Sequence, residues 1–396
     1  MVKTPIYFDH AATTPLCEEA FDKMKPYFTE KFGNANSQHC FGREAVKAVD
    51  EARDTIASII NCKPGELYFT SGGTESDNWA LRGIASAHKD KGKHIIISPI
   101  EHAAMITTAK ELVKDGFEIE FMKVDEEGFV DLEHLKSIIR DDTILVACMM
   151  ANNEVGTIEP IKEIAEIAHS KNAVMFTDAV QAAGVLKIDV KALGVDLMSM
   201  SSHKIYGPKG VGALYIRTGL KIDSIITGGH QERTKRGGTT NVPGVVGFAK
   251  AFEIAARDID KNFEYVSSLR DRFINKVLAE VPFVKLNGPR KEGRLPANAD
   301  FSFRYIEGES ILFSLDLAGI AVSSGSACSS GSLEPSHVLL ALGLPEGLAH
   351  GSIRFSFGKH NTAEEIDYAV EVLKQAVDRL RKMSPLFKVE GETKNV

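Results

Sequence analysis

The sequence predicts an α/β protein: a mainly parallel sheet of seven strands with helices on both faces, joined to a smaller α+β domain. Three observations predict it. Between residues 66 and 217 short apolar runs alternate with helical stretches, and that alternation builds parallel sheets. Many of the runs are rich in Ile, Val and Phe without polar alternation, as strands covered on both faces are. After residue 240 the character changes to two helices, a short set of strands and a final helix.

The first element expected is an amphipathic helix over residues 42–60, whose Val46, Val49, Ala52, Ile56 and Ile59 keep helical spacing. Strands follow at 66–70, 94–100, 118–124, 143–150, 174–179, 195–201 and 212–217. Helices at 75–88, 103–114, 131–139 and 160–170 lie between several of them. Helices at 245–256 and 262–281 lead to strands at 299–305, 320–323 and 352–357. The last helix starts at Thr362, where Glu365 completes a capping box. Residues 1–15 read as an N-terminal segment of the small domain or of a subunit contact. Residues 16–258 read as the large domain and 259–396 as the small one, with a loose polar tail from 389.

Composition excludes several function classes. A chain of 396 residues with 43% hydrophobic and 26% charged residues is ordinary for a globular protein and unlike a disordered or collagen-like one. The 47 basic and 54 acidic residues leave a net charge of -7, which argues against nucleic acid as the main partner. Only 231–236 is locally basic. No apolar run approaches the roughly 18 residues a membrane helix needs, and the start Met-Val-Lys-Thr-Pro has no apolar signal core. The expectation is a cytoplasmic protein with no membrane contact. The 5 cysteines are odd in number and none form a C-x-x-C pair, so a disulfide framework or zinc knuckle is not expected. Any cysteine chemistry would use a single thiol.

In an open parallel sheet ligands bind beyond the carboxyl ends of the strands, so the residues after each strand carry the chemistry. Ser71-Gly72-Gly73-Thr74-Glu75 follows a strand and opens a helix. That suits a phosphate at a helix N-terminus, or equally an ordinary turn capped by Thr74; the dinucleotide fingerprint G-x-G-x-x-G is absent. Asp178 ends the run 174–176 and points a carboxylate toward the cleft, for a cation, a ribose or a protonated ring nitrogen, with Gln181 three residues on. Ser201-Ser202-His203-Lys204 ends another strand, and a lysine there is a candidate Schiff-base amine. Phosphate cradle, acid and lysine together are the parts that pyridoxal phosphate requires. His102 follows the strand at 94–100 and faces the same cleft, for ring stacking or proton transfer. Cys328 lies in Ser323-Ser324-Gly325-Ser326-Ala327-Cys328-Ser329-Ser330-Gly331-Ser332, where nothing is large enough to bury a thiol. That placement favours reactivity over packing, whereas Cys148 lies in an apolar strand and reads as structural.

These stretches, with Tyr7-Phe8-Asp9-His10-Ala11-Ala12-Thr13-Thr14-Pro15, Phe69-Thr70-Ser71-Gly72-Gly73-Thr74-Glu75-Ser76, Asn152-Asn153-Glu154-Val155-Gly156 and above all Ser324-Gly325-Ser326-Ala327-Cys328, carry a resemblance over nearly the whole chain. The sequence resembles the cysteine desulfurases of the NifS/IscS type, in the class V aminotransferase group of fold-type I pyridoxal-phosphate enzymes. The resemblance implies that Lys204 carries the cofactor, Asp178 pairs with its pyridine nitrogen, and His102 stacks on the ring. It implies Gln181 and Asn153 near the phenolic oxygen, Asn153 also near the substrate carboxylate. Gly73, Thr74, Ser201 and His203 would hold the phosphate, and Thr239 would reach the phosphate of a second subunit in a homodimer. Arg354 would clamp the carboxylate of L-cysteine and Cys328 would accept its sulfur. An iron–sulfur scaffold would be the acceptor, and Cys328 would serve there as a transient cluster ligand. His10 stands where an asparagine is common in this family. A selenocysteine lyase or an aminotransferase on the same fold is the alternative, and a non-enzymatic sulfur carrier a third, which Lys204, Asp178 and the 71–74 cradle argue against.

Overall fold

The structure, a computed structural model, describes residues 2–324 and 334–387. Its strands, in chain order, are β1 (Ile6–Tyr7), β2 (Leu67–Thr70), β3 (His94–Ile97), β4 (Glu118–Phe121), β5 (Thr143–Ala147), β6 (Val174–Asp178), β7 (Leu197–Ser201), β8 (Gly212–Ile216), β9 (Val284–Asn287), β10 (Asn298–Phe303), β11 (Ile320–Ala321), β12 (Ser323–Ser324) and β13 (Ser352–Ser356).

A seven-stranded sheet has the order β2-β8-β7-β6-β5-β3-β4. Its neighbours are parallel except β8, which runs antiparallel to both β2 and β7. Every residue of β5, β6, β7 and β8 is buried, which explains why apolar residues dominate them on both faces. The edge strand β4 is half exposed and alternates Glu118 and Glu120 with Ile119 and Phe121. Apolar side chains pack on both faces. One cluster joins Val49, Ile56, Met175, Met198 and Phe248, and another joins Trp79, Ile95, Leu145 and Phe176.

Several predicted strands run longer than the observed ones, and the surplus matters. Beyond Ile97 and Ala147 the chain leaves regular pairing but keeps hydrogen bonds to its neighbour. Ser98 N–H donates to the Ala147 carbonyl at 3.0 Å and Met150 N–H to the Asp178 carbonyl at 2.8 Å. These overhangs floor the cleft at the carboxyl edge of the sheet. The first long helix, Cys40–Ile59, starts under a cap from His39 and buries Ala45, Ala48, Val49, Ala52 and Ile56. Its buried stripe is rotated from the expected one, leaving Val46 38% exposed.

The second unit is a four-stranded antiparallel sheet in the order β12-β13-β10-β9. The sequence reading missed β9, which is only partly buried and so carries a weak apolar signal. Helices Ile259–Glu280 and Ala363–Met383 pack with this sheet around Phe8, Phe273, Phe301, Phe303 and Phe355. The second helix starts as expected: Thr362 Oγ accepts the Glu365 N–H, and the Glu365 carboxylate accepts the Thr362 N–H. The N-terminal segment binds here too. β1 pairs in parallel with β11, and Asp9 bridges to Ser356. From there residues 11–14 run to the carboxyl edge of the large sheet.

Candidate active site

The helix after β2 spans Gly73–His88, and its first turn faces the cleft. A Cβ on Gly73 would lie 2.7 Å from Val180 Cγ2, so only glycine lets the helix start so close to the loop after β6. Four hydrogen bonds hold the turn in place. Glu75 accepts the Ser71 N–H at 2.8 Å and pairs with both ends of the Arg236 fork at 2.8 and 3.0 Å. The Thr70 and Ser76 hydroxyls are 2.8 Å apart. The result is a rigid helix N-terminus whose free N–H groups suit an anion.

Facing this turn, β7 ends at Ser201 and passes into the short turn Ser202–Lys204. His203 Nδ1 lies 3.1 Å from the Thr13 hydroxyl; burial, with Lys204 and Lys209 nearby, pushes its pKa down to about 4, so the ring is neutral. Lys204 Nζ donates to the carbonyls of Ala11 and Ala12 at 2.5 and 2.8 Å. Gln181 Nε2 donates to the same Ala11 carbonyl at 3.0 Å. The amine is therefore held by main-chain oxygens at the cavity wall.

Asp178 ends β6, fully inside, where its Oδ1 accepts the Val180 N–H at 2.8 Å and the Ser199 hydroxyl at 3.3 Å. Burial raises its pKa, opposed by the Val180 N–H and by His102. His102 caps the helix Ala103–Lys114, its Nδ1 accepting the Ala104 N–H at 3.1 Å. Burial lowers its pKa. A neutral ring whose Nδ1 accepts must carry its proton on Nε2.

Arg354 lies in the middle of β13 and is 2% exposed. Its Nη1 donates to the Asn153 carbonyl and its Nη2 to Asp9, both at 3.1 Å, while Nε has no partner. A substrate carboxylate would take the place of Asp9 on this fork.

The structure brings Gly73, Thr74, His102, Asn153, Asp178, Gln181, Ser201, His203, Lys204 and Arg354 to one cavity of about 270 Å³. It does not bring Thr239 there. Thr239 lines a separate cavity of about 130 Å³ with Ser71, Glu232 and Arg236. Cys328 lies outside the described residues. Two lining residues escaped the sequence reading: Asp77 and Met149. Asp77 was legible in principle, since it falls one helical turn after Gly73 on the same face.

The donor set fits pyridoxal phosphate. Gly73 leaves an anion cradle that a Cβ would fill, a buried carboxylate faces it, and a lysine amine reaches the space between. Among the described residues no group of three or more His, Cys, Asp or Glu has the arrangement of a metal site, and no helix is long and apolar enough to cross a membrane.

Comparison with known proteins points the same way. Residues 6–369 match the sequence model of the Aminotransferase class-V family, whose cysteine desulfurase branch is pyridoxal-phosphate-dependent in general. The chain is similar to cysteine desulfurase IscS of Dictyoglomus turgidum, 54% identical with 97% of each chain covered. It is similar to the solved structure of a NifS-like protein, with a TM-score of 0.89, 38% identity and coverage of 95% of this chain and 100% of that one. It is also similar to SspA solved in complex with cysteine, with a TM-score of 0.79, 31% identity and coverage of 90% and 100%. With this coverage and identity, the chain belongs to the class-V aminotransferase family and, within it, to the cysteine desulfurases.

Proposed function

We propose that the protein removes sulfur from L-cysteine, with pyridoxal 5'-phosphate as cofactor, giving L-alanine and a persulfide on Cys328. One observation carries the reading: the lysine amine, the buried carboxylate and the glycine-opened helix N-terminus line a single cavity whose wall also holds Arg354. The SspA structure with cysteine supports the substrate.

In this reading the Gly73–Thr74 N–H groups, Ser201 and His203 would hold the phosphate, and Lys204 would hold the cofactor at its carbonyl end. Asp178 would pair with the ring nitrogen and His102 would stack on the ring, while Gln181 and Asn153 would bind the phenolic oxygen. The cofactor, when bound, supplies an electron sink next to the substrate's α-carbon. Arg354 binds the substrate carboxylate as a fork, releasing Asp9. Lys204 Nζ is placed to take the α-proton and to return it to the α-carbon once the Cβ–S bond has broken. The Cys328 thiolate attacks the substrate sulfur. An S–S bond forms, the Cβ–S bond breaks, and the electron pair left at Cβ takes a proton, making the methyl group of alanine. The His102 Nε2 proton faces the cavity and is placed to supply it. L-cysteine and one thiol thus give L-alanine and one persulfide, and no outside oxidant is needed.

The persulfide then passes to an acceptor, for which an iron–sulfur scaffold protein is the proposed partner; Cys328 would be a transient ligand of the forming cluster there. The active unit is proposed to be a homodimer, cytoplasmic, in which Thr239 reaches the partner's phosphate. The cavity of Ser71, Arg236 and Thr239 supports this, because it shares Ser71 and Gly210 with the opening beside the cradle. The domain division at 15/16 and 258/259 is likewise proposed; it is supported by separate cores around the two sheets and by the β1–β11 pairing.

A cysteine pulse followed by mass spectrometry tests the reading. The expected result is alanine in step with one added sulfur on Cys328. Cys328→Ser should keep the cofactor's visible absorbance and form no persulfide, and Lys204→Ala should lose both absorbance and turnover. Sulfur on another cysteine, or desulfuration by Lys204→Ala, overturns it.

A further inference from the structure

The strand β2 lies at the edge of the seven-stranded sheet, so one row of its main-chain N–H and C=O groups has no neighbouring strand. The locally basic stretch 231–236 covers that row. Glu232 accepts the Phe69 N–H at 2.9 Å, and Arg233 donates to the Leu67 carbonyl at 2.7 Å. Arg53 donates to the same carbonyl at 2.5 Å and holds the Glu232 carboxylate with both arms of its fork, at 3.0 and 2.8 Å. The Arg53 and Glu232 side chains are buried together, at 8% and 6% exposure. The stretch is also strained. Glu232, Arg233 and Thr234 have φ of 41°, 55° and 67°, a region that a β-branched threonine rarely enters. Such strain persists only where the surroundings over-determine it, and it gathers at functional sites. The turn closes on itself through the Gly238 N–H, which donates to the Gln231 side chain at 3.2 Å. Arg236 leaves the turn to pair with Glu75, and Glu75 accepts the Ser71 N–H.

We infer that Glu232 is a positioning residue of the phosphate cradle: it docks the strained turn on the edge of β2 and so holds residues 69–75 from two sides. One hold is direct, at the Phe69 N–H. The other runs from Glu232 along the turn to Arg236, from Arg236 to Glu75 and from Glu75 to Ser71. Glu232 lines neither the active-site cavity nor the opening beside the cradle, so it acts on the cradle only through these contacts. With three hydrogen bonds to one carboxylate, it is the best-anchored side chain of the turn. The inference rests on the phosphate reading of the cradle for its consequence, but not for the contacts, which are tested first.

The first measurement is amide hydrogen exchange on the full-length protein freed of cofactor. Glu232→Ala should speed exchange at Phe69, which loses its acceptor, and also at Ser71, whose acceptor is Glu75. Glu232→Gln keeps the size of the side chain but has one acceptor oxygen, so the Arg53 fork loses an arm; both amides should speed up again, by less. That variant carries the test if Glu232→Ala does not fold. Faster exchange at Phe69 with Ser71 unchanged overturns the relay, whatever the cofactor proves to be. The second measurement is reconstitution with pyridoxal 5'-phosphate, followed by visible absorbance. Glu232→Gln should weaken affinity about tenfold, the scale of one hydrogen bond to a charged group, and Glu75→Gln should do the same. Because the two lie on one path, adding Glu232→Gln to Glu75→Gln should cost less than about twofold more. Losses that multiply to about a hundredfold mean independent action and overturn the relay. Unchanged affinity despite faster exchange at both amides overturns the phosphate reading of the cradle, and the positioning role with it.

Discussion

At the scale of single residues, Arg354 shows how a buried charge can wait for a ligand. It has traded water for Asp9 and one main-chain carbonyl, and its Nε is unsatisfied. A charged group so poorly supplied gains from a second carboxylate oxygen. Arg354→Ala should lower kcat/KM for cysteine about 30- to 150-fold, the equivalent of ~2–3 kcal/mol for a bidentate charge-assisted pair, chiefly through KM. Arg354→Lys should recover only part, because an ammonium cannot reproduce the planar fork. Steady-state kinetics decide this, and an unchanged KM in Arg354→Ala would assign the carboxylate to another residue. The fork was legible in the sequence only through family resemblance. Its partner Asp9 is 345 positions away in the chain, and no local pattern connects them. Asp178, Ser201 and Lys204 were legible for a local reason: each follows a run of buried apolar residues, and strand ends point into the cleft.

At the scale of elements, the helix Gly73–His88 is positioned by contacts at its first residue. A methyl group on Gly73 meets Val180 Cγ2 at 2.7 Å and Ser201 Cβ at 3.8 Å, and a β-branched valine has little rotamer freedom with which to yield. Gly73→Ala should push the helix start away from the cleft. Its effect on the cofactor-free fold should be small, since alanine is the better helix former by about 1 kcal/mol, which offsets the crowding. Cofactor affinity should fall about tenfold, ~1.4 kcal/mol, as the N–H groups lose alignment with the phosphate. Reconstitution titrations check the affinity. Adding Val180→Ala should restore most of it, because residues in contact couple; a double variant as weak as the single one would place the damage elsewhere. Glycine pairs announce such a turn, so the cradle was visible in the sequence. Its exact start was not: the helix begins at Gly73, two residues before the predicted 75, because propensity alone does not favour glycine inside a helix. The overlong strand predictions at 94–100 and 143–150 have a related cause. Apolar content continues past Ile97 and Ala147 because the overhangs are buried under the cleft, and burial without pairing looks the same in sequence as a strand.

At the scale of the whole molecule, the cleft is assembled from both units, and several carboxyl groups outside its lining are buried at a cost that pH can read. Burial pushes Glu154 and Glu159 up to about 8 and Asp300 to about 7. Each keeps a single kind of support: Glu154 takes the Ser336 hydroxyl, Glu159 the Val130 N–H and Asp300 the Asn287 amide. A carboxyl whose pKa is raised by folding binds its proton more tightly in the native state. Its stabilising contribution is full below the unfolded value, near 4.5, and is lost as pH rises toward the folded value. Buried histidines work the other way. His10 and His203 are pushed down to about 4, so stability rises with pH until their unfolded value near 6.5 and is flat beyond it. The two trends oppose each other below pH 6.5, and above it the carboxyls act without that opposition. His169, raised by Asp196, adds to the same decline but is half exposed and counts for less. Unfolding free energy should therefore fall between pH 6.5 and 8. Glu159→Gln removes one titrating group while keeping an acceptor for Val130, and whatever constant offset the amide introduces does not depend on pH. The difference between variant and wild type, measured by denaturant unfolding at matched ionic strength, should move in favour of the variant by about 1–2 kcal/mol over that window, from ~1.4 kcal/mol per pH unit for one proton. Parallel curves for the two proteins would mean that Glu159 is already ionised in the fold at pH 6.5.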